Sequence, residues 1–213
     1  QIGIRQCGFR TNATIRDLHG KISPSYSQST AFAAAPGFKY GISIPWNPWI
    51  SGGKAEFIEL PTIYRDNYVQ LNKHSIIQLD DAKHQIKKFF QQCLRTHGVF
   101  GIDFSIASYS DIHYCNKLYA YILALVKSNN TFLSTAAEIA SWWEKRNRIT
   151  IDESEYEISV FFPDDLEHFV MLLHGEPKIK EIEGASYTID SNKISFTNVN
   201  ANAIAVIRLQ KDQ

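Results

Sequence analysis

The chain has 213 residues and a mass of 24.3 kDa, enough for one full domain or two small ones with real cores. With 44% hydrophobic and 21% charged residues it is neither a disordered nor a fibrous chain. No apolar run approaches the ~20 residues a membrane-spanning helix needs, and equal counts of 22 basic and 22 acidic residues argue against a dedicated nucleic-acid binder. The three cysteines, Cys7, Cys93 and Cys115, are widely spaced and form no CxxC. They therefore supply neither a disulfide framework nor a thiolate zinc site, and they lean toward a reducing, cytoplasmic compartment without fixing it. The chain opens at Gln1 with no initiator Met and no signal-peptide pattern, which points to an earlier segment removed by processing or truncation.

In chain order, the first long stretch is irregular. Residues 21–53 are rich in Ser, Gly and Pro, and they carry Tyr26, Phe32, Phe38, Tyr40, Trp46 and Trp49 without a regular period. A long loop inside a compact domain is functional or disordered, and this aromatic content argues against disorder. The rings either stack on sugar faces, whose axial C–H groups complement the negative face of an aromatic, or plug the end of a barrel. A strand is expected over Ala55–Leu60, ending at Pro61. Asp80 and Asp81 cap a helix whose apolar residues Ala82, Ile86, Phe89, Phe90, Cys93 and Leu94 recur at spacings of three and four. Gly98 stops it, and Val99–Phe104 follows as a short buried strand. A second helix runs from about His113 to Lys127, with Leu118, Tyr121, Ile122 and Leu125 on one face and Asn129 and Asn130 at its end. A short strand around Phe132 precedes a capping box, Thr135-Ala-Ala-Glu138, that opens a third helix. That helix bears Trp142 and Trp143, which must lie at different depths because adjacent helical residues point about 100° apart. Alternation of this kind indicates a parallel sheet or barrel.

The pattern changes near Arg148, and so does the charge. Residues 1–147 carry 16 Lys/Arg against 10 Asp/Glu, whereas residues 148–213 carry 6 against 12, which marks a domain boundary between 147 and 148. Beyond it Glu155–Phe162, His168–His174, Ser186–Asp190, Lys193–Asn198 and Ala203–Gln210 are expected strands. Asp190-Ser-Asn-Lys193 is a tight turn between two of them. Five or six strands in about 65 residues suit a small antiparallel β-sandwich.

The order of several short pieces carries a resemblance. Gly8-Phe9-Arg10 comes first, then Tyr26-Ser-Gln-Ser-Thr30, Pro36-Gly37-Phe38-Lys-Tyr-Gly41 and Pro45-Trp46. Glu59-Leu60-Pro61 with Asp66 follows, and the series ends in Thr135-Ala-Ala-Glu-Ile-Ala-Ser-Trp-Trp-Glu-Lys-Arg146. Together, over roughly residues 3–147, these resemble the second half of a polysaccharide deacetylase of the NodB-homology type, carbohydrate esterase family four. Within it they are most similar to a bacterial subgroup tied to cell-surface polysaccharide synthesis. The resemblance implies an α/β fold, the later part of a distorted (β/α) barrel, followed here by the small β domain. It also implies a divalent metal, usually zinc, that assists hydrolysis of acetyl groups on an acetylated oligo- or polysaccharide. The family's metal ligands and base lie in the first half of the barrel. Neither Asp80-Asp81 nor Asp164-Asp165 falls early enough to supply them, and the histidines show no helical i, i+4 pairing. The chain is thus expected to hold no metal, and the missing N-terminal half of the barrel is its expected partner.

Two of the family's functional positions map onto this chain. Arg10 matches the Arg that orients the base, although Thr11-Asn12-Ala13 replaces the Pro and aromatic that usually follow. Asp103, on the strand Val99–Ser105, stands where a general-acid His is expected. An ordinary Asp, with a pKa of ~3.9, is a poor acid at neutral pH unless burial raises it. Arg10 is expected to face the same cavity as Asp103, either pairing with it or leaving it free. Tyr26, Trp46, Trp49 and Asp66 are the expected substrate contacts. The implied function is a polysaccharide deacetylase-like protein whose metal-binding half is absent from this chain. The alternatives are a catalytically inactive glycan-binding relative and a structural β-sandwich beside an unrelated α/β domain.

Overall fold

The computed structural model describes residues 2–70, 77–106, 114–129, 131–175 and 178–210. His113 and Asn130, the expected limits of the second helix, lie outside them. The chain divides into two compact units, Gln1–Ser141 and Trp142–Gln213, so the division falls inside the third expected helix, a few residues before the charge reversal.

The first unit is built on four parallel strands, β1 (Gly3–Ile4), β2 (Tyr26–Thr30), β5 (Ile58–Arg65) and β6 (Gly101–Asp103), hydrogen-bonded in that order. Helix α1 (Ala13–Ile22) separates the first two strands, and α2 (Leu79–Arg95) separates the last two. Helix α3 (Cys115–Ser128) follows β6, and α4 (Ala136–Arg148) comes last. Among the described residues the parallel strands thus lie side by side in chain order, with no reversal of that order. Tyr64 of β5 packs with Ala82 and Ile86 of α2 and Leu118 and Ile122 of α3, and Phe100, Ile102 and Phe104 border this cluster. Because side chains alternate along a strand, Arg65 and Asp103 project from the other face.

Several expectations are corrected. Helix α1 was not legible, because its large apolar residues Leu18 and Ile22 are exposed; its signal is Asn12, whose side chain accepts from the Ile15 N–H at 2.9 Å. Residues 21–53 are not one irregular loop but contain β2 and a hairpin of β3 (Trp49–Ile50) and β4 (Gly53–Lys54). Strand β5 runs through Pro61 to Arg65. Pro61 pairs with Thr30 where the β2–β5 register shifts between Ser27 and Thr30, an irregularity of the kind that accommodates a proline in a strand. Asp80 and Asp81 lie inside the first turn of α2, whose N-cap is Gln78, and the left-handed residue at its end is His97 rather than Gly98. Phe132 belongs to no strand and is 73% exposed.

The capping box forms in full: the Glu138 N–H donates to Thr135 Oγ1 at 3.3 Å and the Thr135 N–H to Glu138 Oε2 at 2.9 Å. Bonds from Ser134 and then Thr135 hold the Glu138 carboxyl down at about 2, against an ordinary 4.5. A carboxyl with a depressed folded pKa stabilises above its unfolded value and loses that contribution as pH falls through the folded one. Helix α4 is therefore expected to lose stability between about pH 5 and pH 2. Thermal melts across that range should show a slope that Glu138→Gln reduces, the remainder coming from other carboxyls such as Asp17 and Glu183, and Thr135→Ala should cost about 1 kcal/mol at neutral pH. Farther along, Trp143 is 7% exposed and Trp142 39%, as their angular offset requires.

The second unit is all antiparallel. One sheet has the order β10 (Ile179–Glu183), β13 (Ala203–Leu209), β8 (Glu157–Phe162), β7 (Thr150–Glu153); the other is β11 (Ser186–Asp190), β12 (Lys193–Val199), β9 (Leu166–Leu172). One apolar cluster draws on both sheets, with Ile158, Val160 and Phe162 from the first and Met171, Ile194 and Phe196 from the second. Among the described residues there are seven strands rather than five or six. Strand β7 was illegible because all four of its residues are exposed, and β10 because only Ile182 is buried. The tight turn is present: Asp190 pairs with Lys193, and Ser191 takes a left-handed φ of 56°. His168 is exposed on β9 and His174 lies beyond it, so the two form no ligand pair.

Candidate functional site

The C-terminal ends of the parallel strands bring three charged residues of the first unit together. Arg5 directly follows β1, Arg65 closes β5 and Asp103 closes β6. Arg5 Nη1 donates to Asp103 Oδ1 at 2.5 Å and Arg65 Nε to Asp103 Oδ2 at 3.2 Å, so both carboxylate oxygens are engaged by guanidinium groups. Three strands are tied through one carboxylate. Loop chemistry of this kind, at the carboxyl ends of parallel strands, is where ligands bind in α/β folds.

The arginines are held from below. The turn Cys7–Phe9 passes through left-handed Gly8 and Phe9, at φ 66° and 56°, which swings the buried Phe9 ring under them. Arg65 Cζ lies 4.2 Å and Arg5 Cζ 5.8 Å from the ring centroid. Such contacts contribute about 0.5–2 kcal/mol each, more as the cation is desolvated. The Gln6 N–H donates to Ser29 Oγ at 2.9 Å, and Ser29 belongs to a buried polar chain that fixes the segment after β1. Ser27 Oγ donates to Ser29 Oγ at 2.8 Å, and the Ser29 N–H donates to Glu59 Oε1 at 2.7 Å. Nearby His19 is buried, which pushes its imidazole pKa down against the pull of Glu59.

On the far side, Asp66 Oδ2 accepts from the Ser105 N–H at 2.6 Å and from Ser105 Oγ at 2.9 Å, pinning the chain after β6. Tyr68 OH donates to the Phe32 carbonyl at 2.5 Å, and burial pushes its phenol pKa up, partly offset by Arg65.

The expected site residues separate into three groups. Asp103 stands at the strand-end edge, but its partners are Arg5 and Arg65. Arg10, one residue past the Phe9 turn, is exposed and makes no ion pair among the described residues, so the Arg10–Asp103 pair is not formed. Asp66 is at the same edge, buried and committed to Ser105. Trp46 lies beside the other end of β5, bridged to Glu59, its half-buried ring edge-on to exposed Tyr40 at 6.3 Å. Arg16 stacks on Tyr40 at 5.4 Å and donates to its hydroxyl at 2.9 Å. Trp49, 78% exposed, stands on the β3–β4 hairpin, which Asp17 of α1 grips through the Ser51 N–H at 2.8 Å. Tyr26 opens β2 at the end opposite Asp103, its ring against Gly3, and does not belong to the strand-end group.

Arg5 and Arg65 were missed by sequence reasoning. The available signal was a basic residue directly after an apolar strand, at Ile4-Arg5 and again at Tyr64-Arg65. Among the described residues no three His, Cys, Asp or Glu side chains converge. No family model, curated protein or solved structure matches the chain.

Proposed function

We propose that this chain is the later part of a polysaccharide deacetylase-like (β/α) barrel, followed by a β-sandwich domain, in a protein that removes acetyl groups from a bacterial cell-surface glycan. The observation that carries the reading is the strand order. Four parallel strands adjacent in chain order, with helices α1, α2 and α3 after β1, β5 and β6, match the single winding of a barrel; a doubly wound sheet reverses its order at a switch point. The ordered motifs from Gly8-Phe9-Arg10 to Trp142-Trp143 agree with it. The role assigned to this chain is on the substrate side: Arg5 presents hydrogen-bond donors at the strand-end edge, and exposed Trp49, apart from that edge, presents a flat apolar face to a sugar ring.

Asp103 is a positioning residue in this reading. With a guanidinium on each oxygen, it holds two arginines rather than handing a proton to a leaving amine. That pairing favours a second reading, a deacetylase-like glycan binder without activity.

Two measurements test the proposal. The chain alone is expected to release no acetate from an acetylated oligosaccharide and to bind no zinc at nanomolar concentration by calorimetry, while still binding the oligosaccharide. Acetate release, or a tight zinc site, would overturn the division of labour. In a protein containing the whole barrel, Asp103→Asn should lower kcat/KM by loosening the arginines, and Asp103→His should not restore it. Full activity with His would return Asp103 to the role of general acid, and loss of all acetyl specificity in the whole protein would favour the inactive binder.

A further inference from the structure

We infer that the glycan met by this edge is acidic, and that Arg5, held in place beside Arg65 by Asp103, receives a carboxylate carried by one of its sugars. The inference rests on the glycan reading above and names the substrate class. Arg5 is 54% exposed, whereas Asp103 is 20% and Arg65 13% exposed, so Arg5 reaches outward from the pair that anchors it. Its contact with Asp103 uses one terminal nitrogen, Nη1, and the opposite edge of a guanidinium carries further N–H donors. Phe9 lies under both guanidinium groups, and Arg65 is further enclosed by Tyr68 and Asp103, so the accessible rim belongs to Arg5.

Charge points the same way. Arg5, Arg65 and the adjacent exposed Arg10 outnumber Asp66 and Asp103, and Asp66 is already engaged by Ser105. Within a strand-end edge that excess favours an anion, and a planar fork of N–H groups matches the two coplanar oxygens of a carboxylate. If the three residues only tied strands together, the edge would not distinguish an acidic sugar from a neutral one.

Calorimetric titration of the whole chain with three oligosaccharides of equal length separates these cases: an oligouronate, a neutral N-acetylated oligosaccharide and its sulfated derivative. The oligouronate is expected to bind about tenfold or more tightly than the neutral chain. That advantage should shrink as salt is raised, vanish in Arg5→Gln and survive in part in Arg5→Lys. Arg5→Gln gives up the ion pair with Asp103 and the contact with Phe9, so it should melt somewhat below wild type yet stay folded, while Arg5→Lys keeps the charge; if Arg5→Gln does not fold, Arg5→Lys and the salt series decide. Tighter binding of the sulfated chain than of the oligouronate would overturn the carboxylate assignment. Equal binding of acidic and neutral chains would overturn the inference and leave the glycan reading standing. Binding of none of the three would remove both.

Discussion

Gly101→Ala should lower the melting temperature of the first unit by roughly 6–12 °C, from a cost of about 3 kcal/mol. A β-carbon at this position would sit 2.0 Å from the Pro61 carbonyl oxygen and 3.2 Å from the Thr62 Cα, both backbone atoms of the neighbouring strand. Neither moves without parting β5 from β6, because Thr62 is the register partner of Gly101. The change also reaches the candidate site, since Asp103 is two residues farther along β6 and pairs in register with Arg65. Loss of thermal stability should therefore come with loss of the preference for acidic over neutral oligosaccharides. A variant that melts like wild type would contradict the close approach of these strands.

Phe196→Ala should cost about 3–5 kcal/mol in the second unit. The side chain is fully buried, with ring centroids 5.5 Å from Phe162 and 6.4 Å from Phe169, so one deletion empties the centre of the cluster that joins both sheets. A unit of 72 residues, 142–213, has a total stability of roughly 4–11 kcal/mol, and a loss of this size uses up much of it. Hydrogen exchange at the amides of β8, β12 and β13 should accelerate together. Tyr187, directly across from Phe196 on the edge strand β11 and 40% exposed, provides the contrast: Tyr187→Ala should cost about 1 kcal/mol or less. Equal effects at the two positions would mean that the core is not where the burial pattern puts it.

Much of the architecture was legible from local chemistry. The period of three and four in Ala82, Ile86, Phe90 and Cys93 is the buried face of α2, and the alternation of Ile158, Val160 and Phe162 is the buried face of β8. Thr135 and Glu138 named their own helix start, because a capping box is made within one turn of chain. The same holds for the two-residue turn at Ser191 and Asn192. Elements whose burial is not periodic went unseen for a physical reason. Helix α1 exposes Leu18 and Ile22, β7 buries nothing, and the extent of β5 depended on whether Pro61 would meet a ladder bond or a register shift, which only the pairing with β2 determines.

The candidate site divides along the same line. By itself the sequence determined that Asp103 lies on a short strand and that aromatics crowd residues 21–53, because each of these is written in neighbouring residues; that the strand stops at Asp103 came from the structure. Only the tertiary structure decided which arginines meet Asp103. Arg5 is 98 positions away and Arg65 is 38, so no local period links them to it. They converge because β1, β5 and β6 run parallel and bring their carboxyl ends to one edge, where Phe9, turned by two left-handed residues, supports both guanidinium groups. Arg10, the nearer match by motif, is exposed beyond that turn and makes no ion pair among the described residues, a matter of backbone direction that residue type does not record.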